Sequence, residues 1–163
     1  MPTAAYWGSL FGLALAGGAA RVIQGGPLLR RRVLRLSRLE LAGTVVALLA
    51  LGFHCAAMFL PAVVSSVPGS TGAARGVRDL GMVSQIAYWV PAGLLLIALR
   101  RAWQPLLLVE GGVLLAVGVT MFFGFGLAVH LVAIACSVAA TVALLTTVGG
   151  SPAGRTAAAR RSA

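Results

Sequence analysis

Lysine is missing from this 163-residue chain, only three side chains are acidic, and charged residues of every kind amount to 10%. A water-soluble domain normally carries about 25% charged residues. The chain is instead 60% hydrophobic, with a mean hydropathy of +0.98. A small domain buries only about two thirds of the surface its unfolded chain exposes, so water is excluded as the solvent for most of these segments. Cysteine is scarce as well. Cys55 and Cys136 both lie inside apolar runs, where they read as small buried hydrophobes, a structural disulfide at that depth being the alternative. No zinc-ligand spacing, phosphate-binding glycine loop, dinucleotide fingerprint or acyl-transfer nucleophile motif is present.

What is present is arginine. Thirteen arginines set a net charge of +10, and they gather at the ends of apolar runs. Six fall between residues 21 and 38, two at Arg100 and Arg101, and three in the tail at Arg155, Arg160 and Arg161. Basic clusters of this kind hold membrane loops on the cytoplasmic side and meet anionic headgroups. Arg30, Arg31, Arg32, Arg35 and Arg38 are assigned that headgroup role, and no nucleic-acid partner is expected. All-arginine basicity alongside abundant Ala, Gly, Val and Leu points to a GC-rich bacterial genome, hence to the bacterial cytoplasmic (inner) membrane.

The expected fold is all-α, a polytopic helical bundle of five spans with the amino terminus outside and the carboxyl terminus inside. The spans are read at 6–22, 41–64, 80–99, 105–123 and 127–148. Residues 1–149 form one transmembrane domain, with a basic cytoplasmic loop at 21–40 and an outer loop at 65–79, and 150–163 form a disordered basic tail. Residues 1–20 carry no charge ahead of their apolar run, unlike a secretory signal; four spans is the alternative if that segment is cleaved or interfacial. Gly25-Gly26-Pro27 interrupts the first helix. The LLRRRVLRLSRLE stretch beginning at Leu28 predicts an interfacial helix leading into the second span. Asp79 is expected to cap the third span, and Pro91 to bend it. Residues 105–148 are too long for one crossing of about 20 residues, so Gly124-Phe125-Gly126 is read as a hairpin turn. Gly8 and Gly12 in the first span, and Gly112, Ala116 and Gly124 in the fourth, form small-residue faces for helix packing.

Few polar groups remain to carry chemistry. Glu110 stands about five residues past Pro105, roughly 7–8 Å into the fourth span. It is expected to pair with Arg100 or Arg101; the alternative is ion, proton or substrate handling, the default reading of an intramembrane carboxylate. Glu40 is expected to face headgroups or pair with Arg38. His54 and His130 fall in the outer half of the second and fifth spans, with Met58 one turn above His54. They are expected to approach if those spans touch. Imidazole and thioether ligate haem iron or copper, so His54, His130 and Met58 are the candidate cofactor residues. No cofactor is predicted, haem or copper being the alternative to hydrogen bonding across helices with Met58 and Met121 filling gaps.

So few buried polar groups suit an accessory, assembly or scaffolding subunit of a membrane complex. Its partners are membrane lipids and other membrane subunits or further copies of itself, and catalysis is not expected. Two alternatives stand beside it. One is a small transporter or channel component lined by Glu110, Gln85 and Thr120. The other is a redox or lipid-modifying enzyme using His54 and His130.

Overall fold

The structure, a computed structural model, describes residues 36–149. The first apolar segment with Gly8 and Gly12, the headgroup arginines Arg30, Arg31, Arg32 and Arg35, and the basic tail lie outside the described residues. Every regular element within them is a helix. The elements are α1 (Arg38–Phe59), α2 (Pro61–Ser65), α3 (Thr71–Arg78), α4 (Met82–Ala98), α5 (Gln104–Phe122) and α6 (Leu127–Gly149).

A capping box starts α1. The Ser37 hydroxyl accepts from the Glu40 amide at 3.2 Å, and the Glu40 carboxylate accepts from the Ser37 amide at 2.9 Å. Two amides that the first turn leaves unpaired are thereby satisfied. The interfacial helix expected from Leu28 lies almost wholly outside the described residues; Leu36 and Ser37 are not helical, and α1 begins at Arg38. The far end is also interrupted. α1 stops at Phe59, and Pro61 opens α2 at its first position, where a missing N–H costs nothing. The span expected over 41–64 is therefore a 22-residue helix plus one short turn.

The segment expected as an outer loop contains α3. Its Ala74 and Val77 bury against Ala57 of α1 and Val64 of α2, while Arg75 and Arg78 stay exposed. Two small apolar residues three apart on an eight-residue helix suffice for that packing. Asp79 consequently ends α3, and Gly81 precedes α4, so the expected cap on the third span is not made. α3 and α4 meet at a 95° bend, turned at Leu80, whose φ is +51°. α4 runs through Pro91 to Ala98 without a break. The hairpin at Gly124, whose φ of +70° suits glycine, separates α5 from α6 as the sequence predicts.

Among the described residues three helices, α1, α5 and α6, are long and apolar enough to cross a membrane, or four segments if α3 and α4 count as one bent span. Taken alone, α4 has 17 residues, about 25 Å at 1.5 Å per residue. That is short of a hydrocarbon core of about 30 Å.

α1 packs along α4, α5 packs along α6, and the α4–α5 contact joins the two pairs. One end of this bundle carries Arg38, Arg100 and Arg101; the other carries α2, α3 and the Gly124 turn. Near the arginine end Ala47, Leu95, Leu99, Leu114 and Leu144 share a core drawn from four helices. Nearer the other end Tyr88 and Trp89 pack on Val117 and Met121. Gly118 makes that contact possible: a Cβ added there would overlap the Trp89 indole.

The small-residue face predicted for α5 points elsewhere. Gly112, Ala116 and Gly124 are exposed, and a Cβ added at Gly112 or Gly124 meets nothing within 4 Å. Glu110, Leu114, Val117 and Met121, spaced three and four apart, occupy the inward face instead. Gly112 and Ala116 lie about half a helical turn away from that row.

Candidate functional site

Glu110 is completely buried. It sits on α5, six residues in from Gln104, about 9 Å from that end at 1.5 Å per residue. Its Oε1 accepts the Ser137 hydroxyl at 2.9 Å and the Thr141 hydroxyl at 2.8 Å. Those two residues are four apart on α6 and so share one face. Its Oε2 has no hydrogen-bond partner. Among the described residues no cation lies within ion-pairing distance of it.

The expected pairing of Glu110 with Arg100 or Arg101 is therefore corrected. Both arginines go to Glu40, Arg100 Nη2 at 3.0 Å and Arg101 Nε at 3.4 Å from its Oε1. The contact is coulombic rather than an aligned hydrogen bond, since the same oxygen meets no hydrogen-bond geometry. The reason is position. Arg100 and Arg101 follow α4 at the end where α1 begins, level with Glu40, whereas Glu110 lies deeper and faces α6. Glu40 accordingly neither turns to headgroups nor pairs with Arg38; it is buried, caps α1 and ties it to the α4–α5 turn.

Toward the other end, His54 is buried and its Nε2 lies 3.2 Å from the Met121 sulfur. Its ring meets Tyr88 edge-on at 5.6 Å, and its Nδ1 is unpartnered. His130 Nδ1 lies 2.9 Å from the Thr120 hydroxyl, and its ring is 5.8 Å from that of Phe59. The Thr120 hydroxyl donates to the Val117 carbonyl at 3.0 Å. One hydroxyl has one hydrogen, so the Thr120 oxygen receives the His130 Nδ1–H. α1 and α6 thus meet here through Phe59 and His130, while the two histidines hold consecutive α5 residues, Met121 and Thr120.

Met58 does not join them. It packs with the Ala57–Val64–Ala74–Val77 cluster, because α3 folds back over that side of α1. The thioether at His54 is Met121, which the sequence reading took for gap filling. Among the described residues no group of three His, Cys, Asp or Glu side chains gathers to hold a metal ion. Gln85, read as a possible pore-lining residue, has its Oε1 buried without a partner on α4.

Beside the carboxylate runs a cleft of about 400 Å³. Its walls are Leu51, Gly52 and Cys55 of α1 and Ser137, Thr141 and Leu145 of α6, and Leu95 and Leu114 contribute to its floor. Val138 and Val142, also on its lining, are 58% and 54% exposed, so the cleft opens sideways at the outer surface of the bundle. Tyr88 lines it too, but its hydroxyl is committed to the Leu114 carbonyl at 2.6 Å.

Sequence reasoning missed Ser137 and Thr141. The available signal was two hydroxyl residues at i and i+4 in an apolar helix, at a depth that antiparallel pairing matches to Glu110. It also missed the Ser37-x-x-Glu40 capping box, which was legible as such.

Comparison with protein-family models, curated proteins and solved structures found no match. The described residues form an all-helical bundle with three or four segments fit to span a membrane, and with a buried carboxylate beside a lateral apolar cleft.

Proposed function

We propose that this chain is a small transporter, or the transport component of a larger complex, that exchanges a proton for a small cation at Glu110. One observation carries the reading. Glu110 is buried, has no cation partner among the described residues, and keeps one oxygen unpaired. An isolated ionised carboxylate in an apolar interior is too costly to persist, so the group is neutralised by a proton or by a cation that comes to it. A site that accepts either is an exchange site, and intramembrane carboxylates commonly serve that way.

Polar groups at successive depths support it. Glu40 with Arg100 and Arg101 lies at one end, Glu110 with Ser137 and Thr141 in the interior, and His54 and His130 nearer the other end. The expectation of a purely packing subunit rested on a scarcity of buried polar groups, and these are more numerous than the sequence suggested. The arginine end faces the cytoplasm of a bacterial cell by the positive-inside rule.

The test is reconstitution of the full chain in liposomes loaded with a pH-sensitive dye. An imposed gradient is expected to drive proton flux that Glu110→Gln reduces at least about tenfold, or about 1.4 kcal/mol of barrier. Equal flux in the variant and the natural chain would remove the proposal.

A second reading keeps the scaffolding role, supported by the outward face of Gly112 and Ala116. Small residues facing away from the bundle suit close approach by another helix. Cysteine crosslinking from position 112 in native membranes, to a second copy or to another subunit, tests it.

A further inference from the structure

We infer that the chain supplies the occupant of its own cleft: the apolar run at residues 6–22 seats as a helix between α1 and α6. The inference goes beyond the exchange proposal and does not rest on it. The lining decides the kind of occupant. The Ser137 and Thr141 hydroxyls donate to Glu110, the Tyr88 hydroxyl donates to the Leu114 carbonyl, and the remaining walls are apolar. A polar group placed among them would lack a partner and be costly to bury. Residues 6–20 carry no charged side chain, and Arg21 stands at the end of the run.

The dimensions suit a helix. The wall on α6 runs from Ile134 to Leu145, about 16 Å at 1.5 Å per residue, and the wall on α1 from Leu48 to Cys55. Seventeen residues in helical form reach about 25 Å, enough to fill that length. Gly52, Cys55 and Ser137 are small, which lets a second backbone come close. Gly8, Gly12, Ala16 and Ala20 recur at every fourth position and offer a matching small face.

Connectivity selects this run over a free acyl chain or a second copy. Residues 23–35 join it to the described chain at Leu36, directly before the Ser37 cap of α1. A short tether holds a segment near its site at an effective concentration in the millimolar range, and consecutive elements are usually neighbours in space. Along its length α1 meets α4 on one flank and borders the cleft on the other. The tether leaves from the arginine end, so the run lies antiparallel to α1 and parallel to α6. Setting Val22 level with Val148 then brings Gly12 beside Val138 and Ala16 beside Val142, the two exposed valines at the cleft opening. Seated there, the run closes the opening next to Ser137 and Thr141.

The test is disulfide crosslinking of the full chain in membranes, in a background carrying Cys55→Ala and Cys136→Ala. Cysteine pairs are placed at 12 with 138, at 16 with 142, and, as a control on the outward face of α5, at 12 with 112. A disulfide needs Cα atoms within about 7 Å, so the first two pairs should close within one chain at least about tenfold faster than the third. Mass spectrometry of the digested protein reads the yields. Gly52→Leu plugs the cleft, and the helix tolerates it because a Cβ at position 52 meets no neighbour. It should abolish the 12–138 crosslink while circular dichroism stays unchanged.

Disulfide-linked dimers through position 138 or 142 would overturn the inference and seat a second copy in the cleft. Failure of both cleft pairs would overturn it too. Quenching of a fluorophore at position 138 by brominated phosphatidylcholine would then assign the cleft to lipid tails. A 12–138 yield indifferent to Gly52→Leu would place the run outside the cleft and sink the inference as well.

Discussion

Glu110 serves the fold as well as the proposed exchange, and substitution separates the two. With alanine at 110, the Ser137 and Thr141 hydroxyls lose their common acceptor inside the bundle. Leaving buried polar groups unpaired costs about 1–3 kcal/mol each, so Glu110→Ala should lower the detergent melting temperature markedly. Glutamine keeps a carbonyl oxygen for the same two donors and should melt close to the natural chain. Circular dichroism melts of the two variants decide it: equal melting of Glu110→Ala and the natural chain would mean the two hydrogen bonds contribute nothing. At the other end of the bundle, Met121→Leu removes the sulfur that His54 Nε2 contacts at 3.2 Å. It keeps nearly the same volume, a change that usually costs less than about 1.5 kcal/mol, so any larger drop in melting would be due to the imidazole–sulfur contact.

Glycines distinguish the inward and outward sides of α5. Gly118 lies under Trp89 and Tyr88, and Gly112 faces open space. Overpacking a well-filled core costs about 1–3 kcal/mol, so Gly118→Ala should destabilise by about that much, because the indole it strikes is held between Tyr88 and Phe122. Gly112→Ala should do the opposite, stabilising α5 by about 0.5–1 kcal/mol through helix propensity. Thermal melts of both variants test the assignment of faces, and a reversal of signs would refute it. The sequence leaves this distinction undetermined because a stripe of small residues has the right spacing whichever way it points. Only the burial of the Glu110–Leu114–Val117–Met121 row selects the face. The α5–α6 hairpin, by contrast, is legible because a 44-residue apolar run exceeds one crossing of about 20 residues and Gly124-Phe125-Gly126 is its best breaker. α3 is not legible in the same way. Eight residues with two buried side chains carry too little periodicity to stand out among turn formers. The partner of Glu110 was misread for a related reason: nearness in sequence favoured Arg100 and Arg101, and the depth difference that gives them to Glu40 is set by where α1 begins.

For the molecule as a whole, the arginine end and the α2–α3 end should lie on opposite sides of the bilayer. Arg38 and Gly72 are both exposed, one at each end, and no neighbour crowds Gly72. In a background carrying Cys55→Ala and Cys136→Ala, a cysteine placed singly at 38 or 72 should react with an impermeant maleimide from opposite faces of oriented vesicles. Reaction of both from one face would mean that α1 does not cross. The arrangement of α1 beside α4 and α5 beside α6 also explains why the cleft lies where it does, since the two flanking helices meet at Phe59 and His130 but leave a gap below. The Glu40 pairing has a further consequence for how the chain is made. Sixty residues separate Glu40 from Arg100, and synthesis at about 5–20 residues per second puts them about 3–12 s apart at the ribosome. During that interval Glu40 exists without its ion-pair partners. Ser37 is only three residues away, so the capping box can hold the Glu40 carboxylate from the first moment the helix forms, and the arginines arrive later to an acceptor already oriented for them.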